Sequence, residues 1–433
     1  YMNSYFIQIA DIDLGVSPWN ENEGWDPIGN DMEPFTGFYN GDYHKISSIF
    51  IDIIDDDIWN TGLFGYIEGQ ITGSTIENVI LDSVSINEEK NVGALAGQIS
   101  YANVSNCSSA GSVIGEDIVG GLIGLVNNYS NTYGCHSTCS VTGIIGGFYG
   151  DTVGGLIGEL STESSLSDSY ATGSVTGENG VGGLIGYCGN NATITNCYST
   201  GFITVNQDYA GGLVGFGDMV NEFFSYYDMD TSGQDTSFVG TGKTYSEMHL
   251  QSTYETWDFA TVWQIDPLLN YGYPYLAWST PPVNNTPFAG GDGSEVTPYL
   301  VASPTQLDSV RNYTSSHFKQ ISNIDLTIYI SAGNPGYNNG DLWLPIMYGQ
   351  TFYGIYDGNF KIITGLKINR PASTAPCGLF SDIDSFSEIK NLYILNSGTD
   401  HVTGLVVVGA VAGYNSGSIY RCFSDIDVTG DLG

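Results

Sequence analysis

The sequence predicts an all-β protein, a β-solenoid or β-helix of short stacked coils, with short helical and aromatic capping segments at the ends of its modules. Three observations carry that prediction. A Gly-Leu-x-Gly unit (Ala-Leu-Ala-Gly once) recurs at Leu63, Leu95, Leu122, Leu156, Leu184 and Leu213, with spacings of 32, 27, 34, 28 and 29 residues. Between the units lie one-sided strand patterns. The second half of the chain then repeats the first half at an offset of 312 to 318 residues. A unit of about 28 residues suits one coil that buries its apolar face against the next.

Composition agrees. The chain has 433 residues, 58 of them glycine, and 41% of it is hydrophobic, so it is not a disordered linker. Glycines scattered among Val, Ile, Tyr and Thr mark short strands with tight corners. The net charge is −37, from 47 acidic and only 10 basic residues. Nucleic acid is excluded as a partner, because phosphate binding needs basic patches. Anionic membrane surfaces are disfavoured for the same reason. No run approaches the ~18 apolar residues of a spanning helix, so no membrane insertion is expected.

The strands follow from alternation. Cys197, Ser199, Gly201, Ile203 and Val205 alternate with Tyr198, Thr200, Phe202, Thr204 and Asn206, which puts the first set inward. Cys422, Ser424, Ile426 and Val428 repeat the pattern. Around Gly183-Leu184-Ile185-Gly186 neither face is polar. That segment reads as a strand covered on both sides, with glycine admitting neighbouring backbone. The leucines are expected to form one column, one coil apart.

The long repeat sets the domains. Phe6-Ile7-Gln8-Ile9 matches Phe318-Lys319-Gln320-Ile321, Trp25 and Pro27-Ile28 match Trp343 and Pro345-Ile346, and Cys107 matches Cys422. Residues 1–279 form one module lacking its opening, 280–287 a Pro/Asn-rich linker, and 288–433 a second module lacking its end. The native polypeptide is accordingly expected to extend beyond Tyr1 and Gly433 as an array of modules, or to have its ends covered by neighbouring copies. An aromatic segment from Trp257 to Trp278 is expected to cap the first solenoid's end. Ser303-Pro304-Thr305-Gln306 reads as a capping box opening a short helix, and Thr244-Tyr245-Ser246-Glu247 as the start of another.

With these units in order, the chain resembles the GLUG-repeat surface proteins of bacteria and archaea. The likeness rests on the Gly-Leu-x-Gly units, on Asn196-Cys197-Tyr198-Ser199-Thr200-Gly201, on a closing region from Thr231 to Trp263, and on an opening from Phe288 to Leu300. It implies a secreted or wall-attached, often multi-modular protein with roles in adhesion or surface structure. Some relatives of that kind carry a metallopeptidase domain. This chain has no His-Glu-x-x-His, so that activity does not carry over.

Candidate sites are few. Asp228, Asp230 and Asp235, around the turn at Gly233, suit calcium, the one cofactor the sequence suggests. The twelfth-position glutamate of the usual loop is replaced by Val239, and a solvated acidic turn is the competing reading. Cys107 and Cys135 occupy one repeat position. Stacked strands ~4.8 Å apart put a disulfide between them within reach, against a plain column of small buried side chains. His136 between Cys135 and Cys139 faces the other way, which speaks against a shared metal. Asn128, Asn191, Asn284 and Asn312 head glycosylation sequons of the kind an exported glycoprotein carries.

The reading is therefore a non-enzymatic extracellular structural or adhesive protein, building a cell-surface stalk, fibre or filament from tandem modules. Its expected partners are other copies or further modules of itself, and cell-surface glycans. The rivals are a polysaccharide-active β-helix enzyme, which needs clustered Asp with Lys or Arg, and a carbohydrate-binding module using aromatics such as Tyr198 and Phe202.

Overall fold

A computed structural model describes residues 1–52, 59–69, 73–88, 90–144, 152–207, 209–266, 269–281 and 287–430. The chain divides into two compact units, Tyr1–Gln264 with Pro274–Thr280, and Ile265–Tyr273 with Pro281–Gly433. Most of the expected linker, residues 282–286, lies outside the described residues.

The first unit is a stack of parallel coils. One coil runs through Ser165–Ser167, Tyr170–Ala171, Val175–Gly177, Val181–Gly182 and Ile185–Cys188. The next runs through Thr193–Thr195, Tyr198–Ser199, Ile203–Val205, Ala210–Gly211 and Val214–Gly217. Each strand pairs in parallel with its counterpart one coil on: Leu166 with Ile194, Tyr170 with Tyr198, Val175 with Ile203, Val181 with Ala210, and Ile185 with Val214. Repetition yields an eight-stranded sheet from Tyr5–Ile7 to Asn221–Phe223, two six-stranded sheets and a thirteen-stranded sheet. The fold is thus the β-solenoid that the repeat spacing predicts.

The leucine column is present. Leu95, Leu122, Leu156, Leu184 and Leu213 are fully buried. Each of Leu95, Leu122, Leu156 and Leu184 donates its backbone N–H to the next leucine's carbonyl, at 2.8 to 2.9 Å. The sequence suggested that the Gly-Leu pair lies within a strand, but it does not. Gly183-Leu184 turns the corner between Val181–Gly182 and Ile185–Cys188, which belong to the two different six-stranded sheets. The two sheets meet backbone to backbone. A Cβ on Gly182 would lie 1.8 Å from the Ile185 carbonyl oxygen, and one on Gly186 2.5 Å from the Val153 nitrogen. Only glycine permits that approach.

A second corner explains the recurring Asn before Cys. Asn78, Asn106, Asp168 and Asn196 occupy equivalent positions with φ of 57°, 51°, 45° and 53°. Asn and Asp tolerate this left-handed region better than other side-chain-bearing residues. Their side chains also form a ladder. Asn106 Nδ2 donates to Asn78 Oδ1 at 3.2 Å, and Asn196 Nδ2 to Asp168 Oδ1 at 3.2 Å.

The aromatic closing segment does not cap the stack's end. It turns back as a strap along the outer flank of the thirteen-stranded sheet. Trp257 Nε1 donates to the Phe224 carbonyl, Trp263 Nε1 to Asp168, the Tyr198 hydroxyl to the Pro274 carbonyl, and Trp278 Nε1 to the Gly134 carbonyl. The strap closes on itself by the antiparallel pairing of Trp263–Gln264 with Tyr275–Leu276. The flank offers it flat ring surface: His136, Tyr170 and Tyr198 stack one per coil, centroids 4.8 and 4.9 Å apart and within 8° of coplanar.

The second unit repeats the plan. A five-stranded parallel sheet runs from Tyr299–Val301 to Ser418–Tyr420, beside sheets of four, three and two strands. Phe288, Tyr299, Tyr313 and Phe318 pack together over its first strands. Pro304–Ser309 is helical, with Leu307 and Val310 buried. Ser303 Oγ accepts from the Gln306 N–H, but the Gln306 side chain accepts from Ala302, one residue before the N-cap, so the expected capping box is only half formed. In the first unit, Thr244 and Glu247 form a complete box.

Candidate functional site

The three carboxylates that suggested calcium do separate work. Asp228 is buried and caps the short helix Met229–Ser232, its Oδ1 accepting from the N–H groups of Asp230 and Thr231 at 2.8 and 3.1 Å. Asp230 Oδ2 accepts from the Tyr245 N–H at 2.8 Å, joining the two short helices. Asp235 is exposed. Among the described residues, no three His, Cys, Asp or Glu side chains converge as a metal site. Asp at a helix start satisfies orphan N–H groups, which is the work Asp228 does here.

Cys107, Cys135 and Cys197 point inward and are fully buried, as free thiols. Each Sγ lies 3.2 to 3.3 Å from the backbone carbonyl two residues earlier. Burial raises the Cys107 and Cys197 thiols, with neighbouring Cys135 adding to the rise at Cys107. Ser169 and Ser225 stand in the same column and accept from the Cys135 and Cys197 N–H groups.

His136 does point away from the core, but the strap covers it. Its Nδ1 is buried with no hydrogen-bond partner, and burial pushes its pKa down to about 4. The Trp278 ring lies 5.5 Å away on the strap side. Tyr198, offered by the sequence as an exposed ring for sugars, is likewise fully buried. Phe202 on the same coil is 47% exposed. Of the sequon asparagines, Asn191 and Asn312 are exposed. Asn128 is half-buried and donates to Ser100 Oγ at 2.8 Å. Asn284 lies outside the described residues.

Sequence reasoning missed the outer face of the eight-stranded sheet. Thr75, Asn103, Asn131, Ser165, Thr193 and Asn221 stand in register on six successive strands and point outward. Asn131 Nδ2 donates to Asn103 Oδ1 at 3.1 Å, and Ser165 Oγ to Asn131 Oδ1 at 2.7 Å. The signal was available as the Thr193-Ile194-Thr195 and Ser165-Leu166-Ser167 alternations. They lie just before the Asn-Cys element, which drew the attention instead.

Parallel coils stacked in register, with a leucine corner recurring from coil to coil, define a β-solenoid repeat protein. Residues 149–176 and 177–206 match the family model described as the GLUG motif. The chain is similar to Halomucin of Haloquadratum walsbyi, at 41% identity over 128 residues, which is 28% of this chain and 1% of that protein. It is also similar to a protein of Evansella cellulosilytica provisionally named a Gly-rich membrane protein. That match is 38% identical over 138 residues, 30% of this chain and 15% of the relative. The chain thus spans a small part of both relatives' lengths. A crystal structure from Bacteroides ovatus, provisionally named an immunoglobulin A1 protease, aligns with a TM-score of 0.43 at 21% identity, covering 64% of this chain and 86% of that one. Among the described residues, no helix is long and apolar enough to cross a membrane.

Proposed function

We propose that this chain is a non-enzymatic, extracellular structural or adhesive protein, whose solenoid units serve as rigid segments of a cell-surface stalk or fibre. The observation that carries this reading is the uninterrupted in-register ladder from Tyr5–Ile7 to Asn221–Phe223. Seven steps of ~4.8 Å give about 34 Å of rise along the axis, every step pinned by backbone hydrogen bonds. The interior is filled by leucine, valine and isoleucine, so a coil stack of this kind works as a spacer. The charge of −37 keeps such a surface solvated. Similarity to Halomucin and to a protein named for a membrane supports a place at the cell boundary.

The test is to label the native protein on whole cells with an antibody, view it by electron microscopy, and assay sugar release from purified chain. Surface filaments or a surface coat without polysaccharide turnover are expected. Label confined to the cytosol, or catalytic release of sugar, would overturn the reading.

A further inference from the structure

We infer that the outer face of the eight-stranded sheet is a docking surface for a neutral linear polysaccharide lying along the solenoid axis. This deepens the adhesive half of the proposed function by naming the partner's chemistry.

The first observation is the charge on that face. The chain carries 47 acidic residues, yet along six successive strands, Ser74–Glu77 to Asn221–Phe223, the outward positions hold one carboxylate, Glu77. One column, Thr75 to Asn221, is entirely hydroxyl and amide. Each such side chain can donate and accept, as a partner rich in hydroxyl groups requires. The outward positions themselves offer a cationic polymer only Glu77, with Asp168 and Asp258 at the edge beside Tyr133, and an anionic polymer is repelled by the chain as a whole.

The second observation is aromatic. Tyr133 and Phe223 stand in the neighbouring column of the same face, 40% and 49% exposed. Tyr133, Ser167, Thr195 and Phe223 are successive partners in register, so the two rings are three ladder steps apart. Three steps make about 14 Å, a span that fits a few sugars of an extended chain. Exposed rings offer flat apolar surface to the C–H faces of pyranoses, while the hydroxyls and amides between them bond sugar hydroxyls.

The third observation is a cleft of about 230 Å³ where the strap meets the face, lined by Asn106, Tyr133, Gly134, Thr261, Val262 and Trp278. Tyr133 forms part of both the cleft and the face. One end of a bound polymer is thereby given a concave seat, and Phe223 a platform further along the axis.

The test is affinity electrophoresis of the whole chain through gels containing barley β-glucan, mannan, dextran or polygalacturonate. Retardation by at least one neutral polysaccharide is expected. Tyr133→Ala with Phe223→Ala should weaken it about tenfold or more, a loss of roughly 1.4 kcal/mol. Thr193→Asp should weaken it by placing a charge mid-face. Tyr209→Ala, whose ring is 65% exposed outside this face, should leave it unchanged. Melting curves check that each variant folds, and Thr195→Asp, on the same strand in the neighbouring column, serves if Thr193→Asp does not. No retardation in any neutral gel, retardation by polygalacturonate alone, or retardation insensitive to the face variants would each overturn the proposal. None of these results bears on surface location, so the structural reading stands or falls separately.

Discussion

Trp263 Nε1 donates a 3.0 Å hydrogen bond to Oδ1 of Asp168, 95 residues earlier in the chain. The same oxygen accepts from Asn196 Nδ2. One carboxylate therefore joins the strap to the corner ladder of the coils. Burial raises its pKa, while the two hydrogen bonds lower it and hold the charged form.

That joint predicts a graded series. Trp263 is fully buried against Tyr170, Tyr198 and Trp257, so Trp263→Ala should cost about 3–5 kcal/mol. Trp263→Phe keeps most of the packing and removes one of the two donors to the Asp168 oxygen, leaving Asn196, which should cost about 1–3 kcal/mol. Urea denaturation measures both. Equal losses in the two variants would show that the hydrogen bond contributes and the ring does not.

The glycine contacts predict an inversion of the usual order. Leu184→Ala should cost about 2–5 kcal/mol, as a core truncation does. Gly182→Ala adds a single methyl but sets it 1.8 Å from a backbone oxygen that cannot move without parting two sheets. Its cost should match or exceed that of Leu184→Ala. A Gly182→Ala protein that melts like the wild type would show the sheets are not in backbone contact.

His136 predicts a pH dependence of definite sign. Its folded pKa is about 4 against an ordinary 6.5, so the unfolded chain takes up the proton first. The stability this ring contributes is complete above pH 6.5 and declines as pH falls from there toward 4. Asp168, Glu159 and Asp117 have raised pKa values and act in the opposite sense, so the comparison must be with a variant. His136→Phe keeps the stack with Tyr170 and should flatten the difference between urea midpoints at pH 7 and pH 4.5. An unchanged difference would put the titration elsewhere.

For the acidic turn, the expectation is indifference to calcium. Asp228 and Asp230 already accept backbone N–H groups. Melting temperatures in calcium and in chelator should coincide, whereas Asp228→Ala should cost about 0.5–2 kcal/mol as a lost N-cap. A calcium-dependent rise abolished by Asp235→Asn would assign these groups to a cation after all.

What the sequence made legible was periodic. The leucine column and the inward Cys197–Ile203 face follow from a fixed spacing, because each coil meets the same neighbours. What it hid was aperiodic. Nothing local to Tyr198 or His136 announces that residues 257–264 and 274–278 will fold back over them, so alternation correctly turned both outward and wrongly left both in water. The Gly-Leu corner was hidden for a different reason. A run of small and apolar residues reads alike as a buried strand and as a bend between two, and backbone contact decided for the bend. The Asp trio shows the same ambiguity in polar form: carboxylates around a glycine turn serve a cation or orphan N–H groups equally well.

The strap also changes how the first unit would bear tension. In a bare stack, a pull along the axis passes from coil to coil in series, and the weakest rung sets the breaking force. The strap is anchored near the last coil by Trp257 on Phe224, then at Asp168, and at Gly134 by Trp278. It runs alongside those rungs as a second line of force. Coils between Gly134 and Phe224 share their load with it, whereas the strap reaches the coil of Phe38–Asn40 only by the ring contact of Trp278 with Tyr43, at 5.7 Å, with no hydrogen bond to hold it. Under steady extension that earlier coil should peel first, giving the segment a built-in order of yielding, with a compliant end and a stiff one.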